Sequence, residues 1–337
     1  MPATAQDWAT RDLCTVMRPA IDKQVLPPDL LAVLEQDAAS RFINGTGRYW
    51  RIESPGGAVS HLWGTFHSTD PLILDLPQAV EDDIETARIV ALEMDPIQPD
   101  RKSITQSFEY EGWMREGGNA AWRFETENTG VPARIINRIR DRTEGIGWGR
   151  GAPDYLTLGG LANLLMTDPC DDFSAGTLPI QDSRIQMLGM IAGADILGLE
   201  PEAAFLDYLN APQNRRTALS LITVYGSSLF PQPGSRQTYF ALYLEGRLGL
   251  MMMLEAEWIR DELGPEGAAH LARTDAYLLD ARNADFITRV IPELEKGGVF
   301  VAVGAFHLPG KNGMVARLRT AGFTVTRTPL PGEAQTP

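Results

Sequence analysis

The chain is poor in histidine, cysteine and positive charge. Four histidines and two cysteines occur in 337 residues, and 30 Lys and Arg stand against 44 Asp and Glu, a formal charge of −14. That deficit repels a phosphate backbone, so sequence-independent nucleic-acid binding is disfavoured. No stretch approaches the roughly 20 apolar residues that span a bilayer; the longest runs, near 299–306 and 248–254, read as a strand and a helix segment. The opening residues, Met1-Pro2-Ala3-Thr4-Ala5-Gln6-Asp7, lack the basic and apolar regions of a signal peptide, which leaves a cytosolic protein or an exported one whose signal is not in this sequence. Cys14 and Cys170 form no Cys-x-x-Cys pair, so a cysteine zinc site and a thioredoxin-like pair are excluded, and one disulfide or two inert thiols remain. The absence of Gly-x-Ser-x-Gly, His-Glu-x-x-His and Ser-x-x-Lys removes serine hydrolases and ordinary zincins.

What is present is a folding composition, 44% hydrophobic and 22% charged, enough for one large core or two smaller ones. Residues 1–47 read as an N-terminal arm with a helix over Pro28–Ala39. Tyr49–Glu53 and Val59–Phe66, joined by Ser54-Pro55-Gly56-Gly57, predict a β-hairpin. A helix from Asp75 to Ala87, with Glu81, Asp82 and Asp83 in its early turns, leads into an apolar strand over Arg88–Leu92. Residues 97–150 read as mixed helices ending in the Gly-rich stretch Gly145–Gly151, which lacks the preceding strand and the Gly-Lys of a phosphate loop. Helices are expected over Leu156–Met166, Asp182–Ala192, Pro201–Leu209, 236–262 and Tyr277–Ile291, with a short strand at Ala194–Leu199. The last unit runs from strand Val299–Val303 through helix Gly313–Ala321 to strand Phe323–Arg327, and repeats weakly the strand, Gly-x-x-His, helix, strand order of the first.

The chemistry concentrates where apolar segments stop. Leu62–His67, Ile89–Glu93, Ile196–Glu200 and Phe300–His307 each end in an ionisable residue. In one parallel sheet their carboxyl ends would share an edge, where open α/β sheets place ligands. Half of the histidines stand in Gly64-Thr65-Phe66-His67 and Gly304-Ala305-Phe306-His307. A glycine there lets the chain turn off the strand or lets a ligand approach the backbone. Imidazole and carboxylate together suit Zn²⁺, Mn²⁺, Fe²⁺ or Co²⁺, and three protein ligands would leave room for an activated water. His61 and His270, which lack the strand-end context, read as structural.

Leu62–Pro71, Ala91-Leu92-Glu93-Met94-Asp95, Gly198-Leu199-Glu200, Asp280-Ala281-Arg282-Asn283 and Val303–Gly313 together resemble the TraB/PrgY/GumN family, bacterial relatives of the Tiki metalloproteases. The resemblance runs from about Tyr49 to Thr328 and departs from the family pattern at Asp280, where glutamate is more usual. It implies a Tiki/EreA/ChaN-like α/β fold, a central mixed sheet from two related β-α-β halves with a large helical insertion. The expected organisation is an arm over 1–47, a domain over 48–330 divided into 48–96, 97–260 and 261–330, and a flexible tail over 331–337. The resemblance implies that His67, Glu93 and His307 stand at a divalent-metal or catalytic centre and that Arg282 binds substrate or orients a ligand; we read a metal site there (Mn, Co or Zn), with Glu200, Arg282 and Asn283 as catalytic residues around it. Cys14 and Pro169-Cys170 resemble an exported subgroup in which such cysteines suit a disulfide. That implies a periplasmic or secreted protein, with a cytoplasmic one as the alternative. The resulting expectation is a metal-dependent hydrolase, a peptidase by extension from distant relatives, acting on a peptide or small molecule. The alternatives are a metal-free esterase with histidine as base and a non-catalytic binder of haem or peptide.

Overall fold

Six short runs rich in β-branched, leucine and aromatic residues pair into one mixed sheet. The computed structural model describes residues 14, 16–94, 124, 129–171, 180–201, 203–227 and 230–334. The strands are β1 (Tyr49–Glu53), β2 (Val59–Thr65), β3 (Ile89–Leu92), β4 (Asp195–Gly198), β5 (Val299–Gly304) and β6 (Thr324–Arg327). Their order is β4-β3-β5-β2-β1-β6. β4, β3, β5 and β2 run parallel, with Leu92 opposite both Gly198 and Ala302, and Thr65 opposite Gly304. β1 is antiparallel to β2 and to β6. The four parallel strands therefore present their carboxyl ends along one edge.

The strands alternate between two buried faces, as a sheet covered on both sides must. Leu62, Val299, Val301 and Val303 join one core with α1 (Pro28–Arg41), and Trp63, Val90, Phe300 and Ala302 join the other with α2 (Gln78–Glu85) and α3 (Gln181–Ala192). The first face also receives α4 (Ser235–Leu244), α5 (Leu248–Leu263), α7 (Arg282–Leu294) and α8 (Met314–Thr320). Between α5 and α7 lie α6 (Gly267–Asp275) and a π-helical turn, Ala276–Ala281. On α7, Phe286, Val290 and Leu294 stand four residues apart and are fully buried, each worth about 1.5–3 kcal/mol of apolar transfer. A separate helical core gathers Ile135, Ile139, Leu161, Leu165, Leu206 and Leu221.

Several expected boundaries move. The helix expected over 236–262 is two, because Gly246 takes φ 68° and turns the chain between α4 and α5. The one expected over Tyr277–Ile291 is a π turn followed by α7, which keeps Pro292 in its last turn. Residues 331–334 of the tail pack against the fold. Glu333 is buried and accepts hydrogen bonds from Arg48 Nε (3.2 Å) and Arg327 (2.9 Å), while the Ala334 N–H donates to Glu245 O. The N-terminal segment is likewise built in, with Leu26, Leu34 and Ala38 in the main core. A disulfide joins Cys14 to Cys170 across 156 residues. The helices expected over 97–123, and Asp95, lie outside the described residues. Among the described residues no helix is long and apolar enough to cross a membrane.

Candidate functional site

Each of the four parallel strands delivers one ionisable side chain to the shared edge. Glu93 follows β3 directly, His67 and Glu200 lie two residues beyond β2 and β4, and the 3₁₀ turn Ala305–His307 carries His307 off the end of β5. Arg282 and Asn283 open α7, immediately after the π turn, a feature that often marks functional sites in helical segments.

Glu93 is the hub. Its Oε1 accepts the Gly304 N–H at 2.7 Å and stands 3.3 Å from His307 Nε2, while Oε2 accepts from Arg282 Nη2 at 2.6 Å. Arg282 also donates through Nε to Glu200 Oε2 at 3.1 Å and through Nη2 to Glu200 Oε1. Phe286, one turn further along α7, lies under the Arg282 guanidinium at 5.0 Å and beside the His307 ring at 5.3 Å. Asn283 Nδ2 donates to the carbonyls of His307 (3.2 Å) and Asn312 (3.0 Å), which leaves its Oδ1 to meet His307 Nδ1 at 2.8 Å. This assignment puts the imidazole proton on Nδ1 and turns the Nε2 lone pair toward Glu93. His67 Nε2 lies 3.5 Å from Asp182 Oδ2, and Asp182 Oδ1 accepts from Thr65 Oγ1 at 2.9 Å.

The two histidines are driven apart electrostatically. Burial opposes charge on both. At His67 the Asp182 carboxylate, helped by Glu93, outweighs it and pushes the imidazole up to about 9, on a side chain that is still 35% exposed. At His307 burial prevails over the pull of Glu93 and lowers the imidazole to about 4, so the 3.3 Å contact with Glu93 is not an ion pair at neutral pH. Glu93 itself is buried, which would raise its pKa, yet Arg282, then His307 and His67, hold it well below the usual carboxylate range. Burial raises Glu200 despite its bonds to Arg282.

The donors fit a divalent cation in their chemistry. A methyl group placed on Gly304 would stand 3.1 Å from Glu93 Oε1, 3.5 Å from His307 Cδ2 and 3.8 Å from His67 Nε2, so all three side chains look into the same small space. The lone pairs of His307 Nε2 and Glu93 Oε1 face each other there, and the buried Asp182 Oδ2 has His67 Nε2, at 3.5 Å, as its neighbour. Glu93, Glu200 and Asp182 set three carboxylates against the Arg282 guanidinium and the His67 imidazole. The shell is not closed: among the described residues no three His, Cys, Asp or Glu side chains stand in ready-made ligand geometry.

The edge opens into a cavity of about 160 Å³, walled by Phe66, Phe230 and Tyr239 and by the carboxyl groups of Glu255 and Asp275. Sequence reasoning named His67, Glu93, Glu200, Arg282, Asn283 and His307, and these six lie together at the sheet edge. His61 and His270 lie elsewhere, beside Asp83 and Ser220, and Asp280 faces solvent. It missed Asp182, which appears in the sequence only as the opening of a helix, and it missed Glu255 and Asp275. An acid inside the apolar stretch Leu250–Ala256 was the available signal for Glu255.

No curated protein and no solved structure matches this chain. A family profile does, over residues 49–327, from the first residue of β1 to the last of β6, and the protein belongs to the TraB/PrgY/gumN family.

Proposed function

We propose that the edge formed by His67, Glu93 and His307 is the centre of a metal-dependent hydrolase acting on a peptide or small molecule with a scissile acyl bond. The observation that carries this reading is the convergence of one carboxylate oxygen and two imidazoles on the space above Gly304. In this proposal two related halves, one through β2 and one through β5, each contribute a Gly-x-x-His histidine. A divalent cation held by His67, Glu93 and His307 would polarise a carbonyl and acidify a bound water. Asn283 fixes the His307 tautomer, so Nε2 would be the atom available to a metal. Arg282 holds Glu93 and Glu200 in register and faces developing negative charge at the edge. Glu200, its pKa raised by burial, accepts a proton from water and returns it to the leaving group.

The opposed histidines favour a second, metal-free reading. A neutral His307 would act as base through Nε2, and a protonated His67 would stabilise the oxyanion. The Cys14–Cys170 disulfide supports a periplasmic or secreted location for either, since such bonds persist in oxidising compartments.

The test is elemental analysis after incubation with Mn²⁺, Co²⁺ or Zn²⁺, comparing wild type with His67→Ala and His307→Ala, followed by mass spectrometry of a peptide and ester library. Near-stoichiometric metal lost in both variants, with turnover abolished by chelation, is the expected result. Turnover that survives chelation selects the metal-free reading, and folded wild-type protein with no turnover under any condition overturns both.

A further inference from the structure

The cavity does not end at the histidines. Its opposite wall is formed by α5 and α6 and carries Glu255 and Asp275. Glu255 is 7% exposed, and Tyr239 Oη, donating to Oε2 at 3.3 Å, is its hydrogen-bond partner. The neighbouring charges that shift these two acids are Asp275 and Asp280, both acidic. Thr274 belongs to the same wall, and its buried hydroxyl has no hydrogen-bond partner. The remaining surface is apolar and aromatic, with Phe230, Leu271 and Leu278.

Tyr225 links this wall to the sheet edge. Its ionisation is suppressed by burial first, then by Glu255 and Asp275, and it also senses Arg282 and Glu93. Glu93, Arg282, Tyr225, Glu255 and Asp275 line the same cavity. An ionised carboxylate buried without a countercharge costs several kcal/mol, so an entering cation would stabilise both acids in their charged form. Burial first, then Asp275, moves Glu255 up to about 8, and burial first, then Asp280, moves Asp275 to about 7.

We propose that Glu255 and Asp275 form a subsite for an organic cation, an ammonium, guanidinium or amidinium on an apolar stem, and so select substrates carrying such a group beside the bond presented to His67, Glu93 and His307. A hard metal ion would want about six or more oxygens, whereas this wall pairs two acids with the aromatic side chains of Phe230 and Tyr239, which suit an alkyl or aryl cation. The selection of substrates rests on the hydrolytic reading; the binding of the cation does not.

The experiment is a fluorescence titration of the full chain with 4-aminobenzamidine and its neutral counterpart 4-aminobenzamide, on wild type, Glu255→Gln, Asp275→Asn and His307→Ala. Thermal melts establish that each variant is folded. The expected result is wild-type preference for the amidinium of at least tenfold, reduced at least tenfold in Glu255→Gln or Asp275→Asn and retained in His307→Ala. Equal affinity for the two probes, no binding by wild type, or a preference unchanged in both acid variants overturns the proposal. Should Glu255→Gln fail to fold, Asp275→Asn decides alone. Retained preference in a protein with no turnover would count against the hydrolytic reading and leave the cation subsite standing.

Discussion

The two Gly-x-x-His glycines should answer differently to the same substitution. Gly304 has φ −49° and ψ 137°, which any residue adopts, so Gly304→Ala brings no backbone strain. Its new methyl would meet Glu93 Oε1 at 3.1 Å, and the carboxylate would have to yield by a few tenths of an ångström. That cost is offset by the reduced freedom of the unfolded chain, about 0.4–1 kcal/mol, so stability should stay within about 1 kcal/mol of wild type. The methyl would nevertheless occupy the space shared by His67, Glu93 and His307. Misplacement of reacting groups by an ångström costs about 100-fold, and a loss of that order is expected in metal affinity and turnover. In Gly64→Ala the methyl meets Ala305 Cα at 3.0 Å and Leu308 Cδ2 at 3.1 Å. Because backbone cannot swing aside, overpacking of about 1–3 kcal/mol is expected. Urea unfolding, with calorimetric titration of Mn²⁺ and Zn²⁺, measures both effects. Gly304→Ala with undiminished metal affinity and turnover would refute the idea that the space over Gly304 is the working volume.

Four further outcomes follow from the structure. His307, lowered to about 4 in the folded protein, leaves the unfolded chain to take up more protons below its ordinary 6.5, so stability should fall as pH drops from about 6.5 to about 4, by up to about 3 kcal/mol. His67, raised to about 9, should add stability at low pH that disappears as pH rises through about 9. Urea midpoints across pH, with His307→Asn and His67→Asn subtracting each limb, check both signs; limbs that the substitutions leave untouched would count against these environments. Asn283→Ala should leave the His307 and Asn312 carbonyls short of a donor and release the His307 tautomer, lowering stability by about 1–3 kcal/mol and metal affinity by about 10–100-fold. A calorimetric titration at wild-type affinity would show that the tautomer does not matter. Reduction of Cys14–Cys170, which spans 156 residues, should destabilise by up to about 5 kcal/mol through the freed loop of the unfolded chain; an unchanged urea midpoint under reducing conditions would rule this out.

Strand direction and period made much of the edge readable. Residues ending four apolar runs must emerge together if those runs are parallel neighbours, and His67, Glu93, Glu200 and His307 do. Local patterns also indicated the β1–β2 hairpin and α1, because turn chemistry and helical spacing act over a few residues. What partner each side chain meets was beyond reach of such patterns. Asp182 comes to His67 from a helix 115 residues later in the chain, as the partnership of Phe66 and Gln181 shows by its separation. Packing against Gly47 and Phe42, not helical propensity, accompanies the break at Gly246 and the close seat of Gly249. Likewise Glu333 reads as part of a Pro- and Gly-rich tail, yet it is held by Arg48, which lies far back in the chain. The sequence by itself determined which residue types reach the edge, since that depends on local apolar runs and where they stop. Only the tertiary structure decided their protonation, the different roles of Gly64 and Gly304, and the second acidic wall, since burial and Coulomb forces depend on neighbours that the chain supplies from a distance.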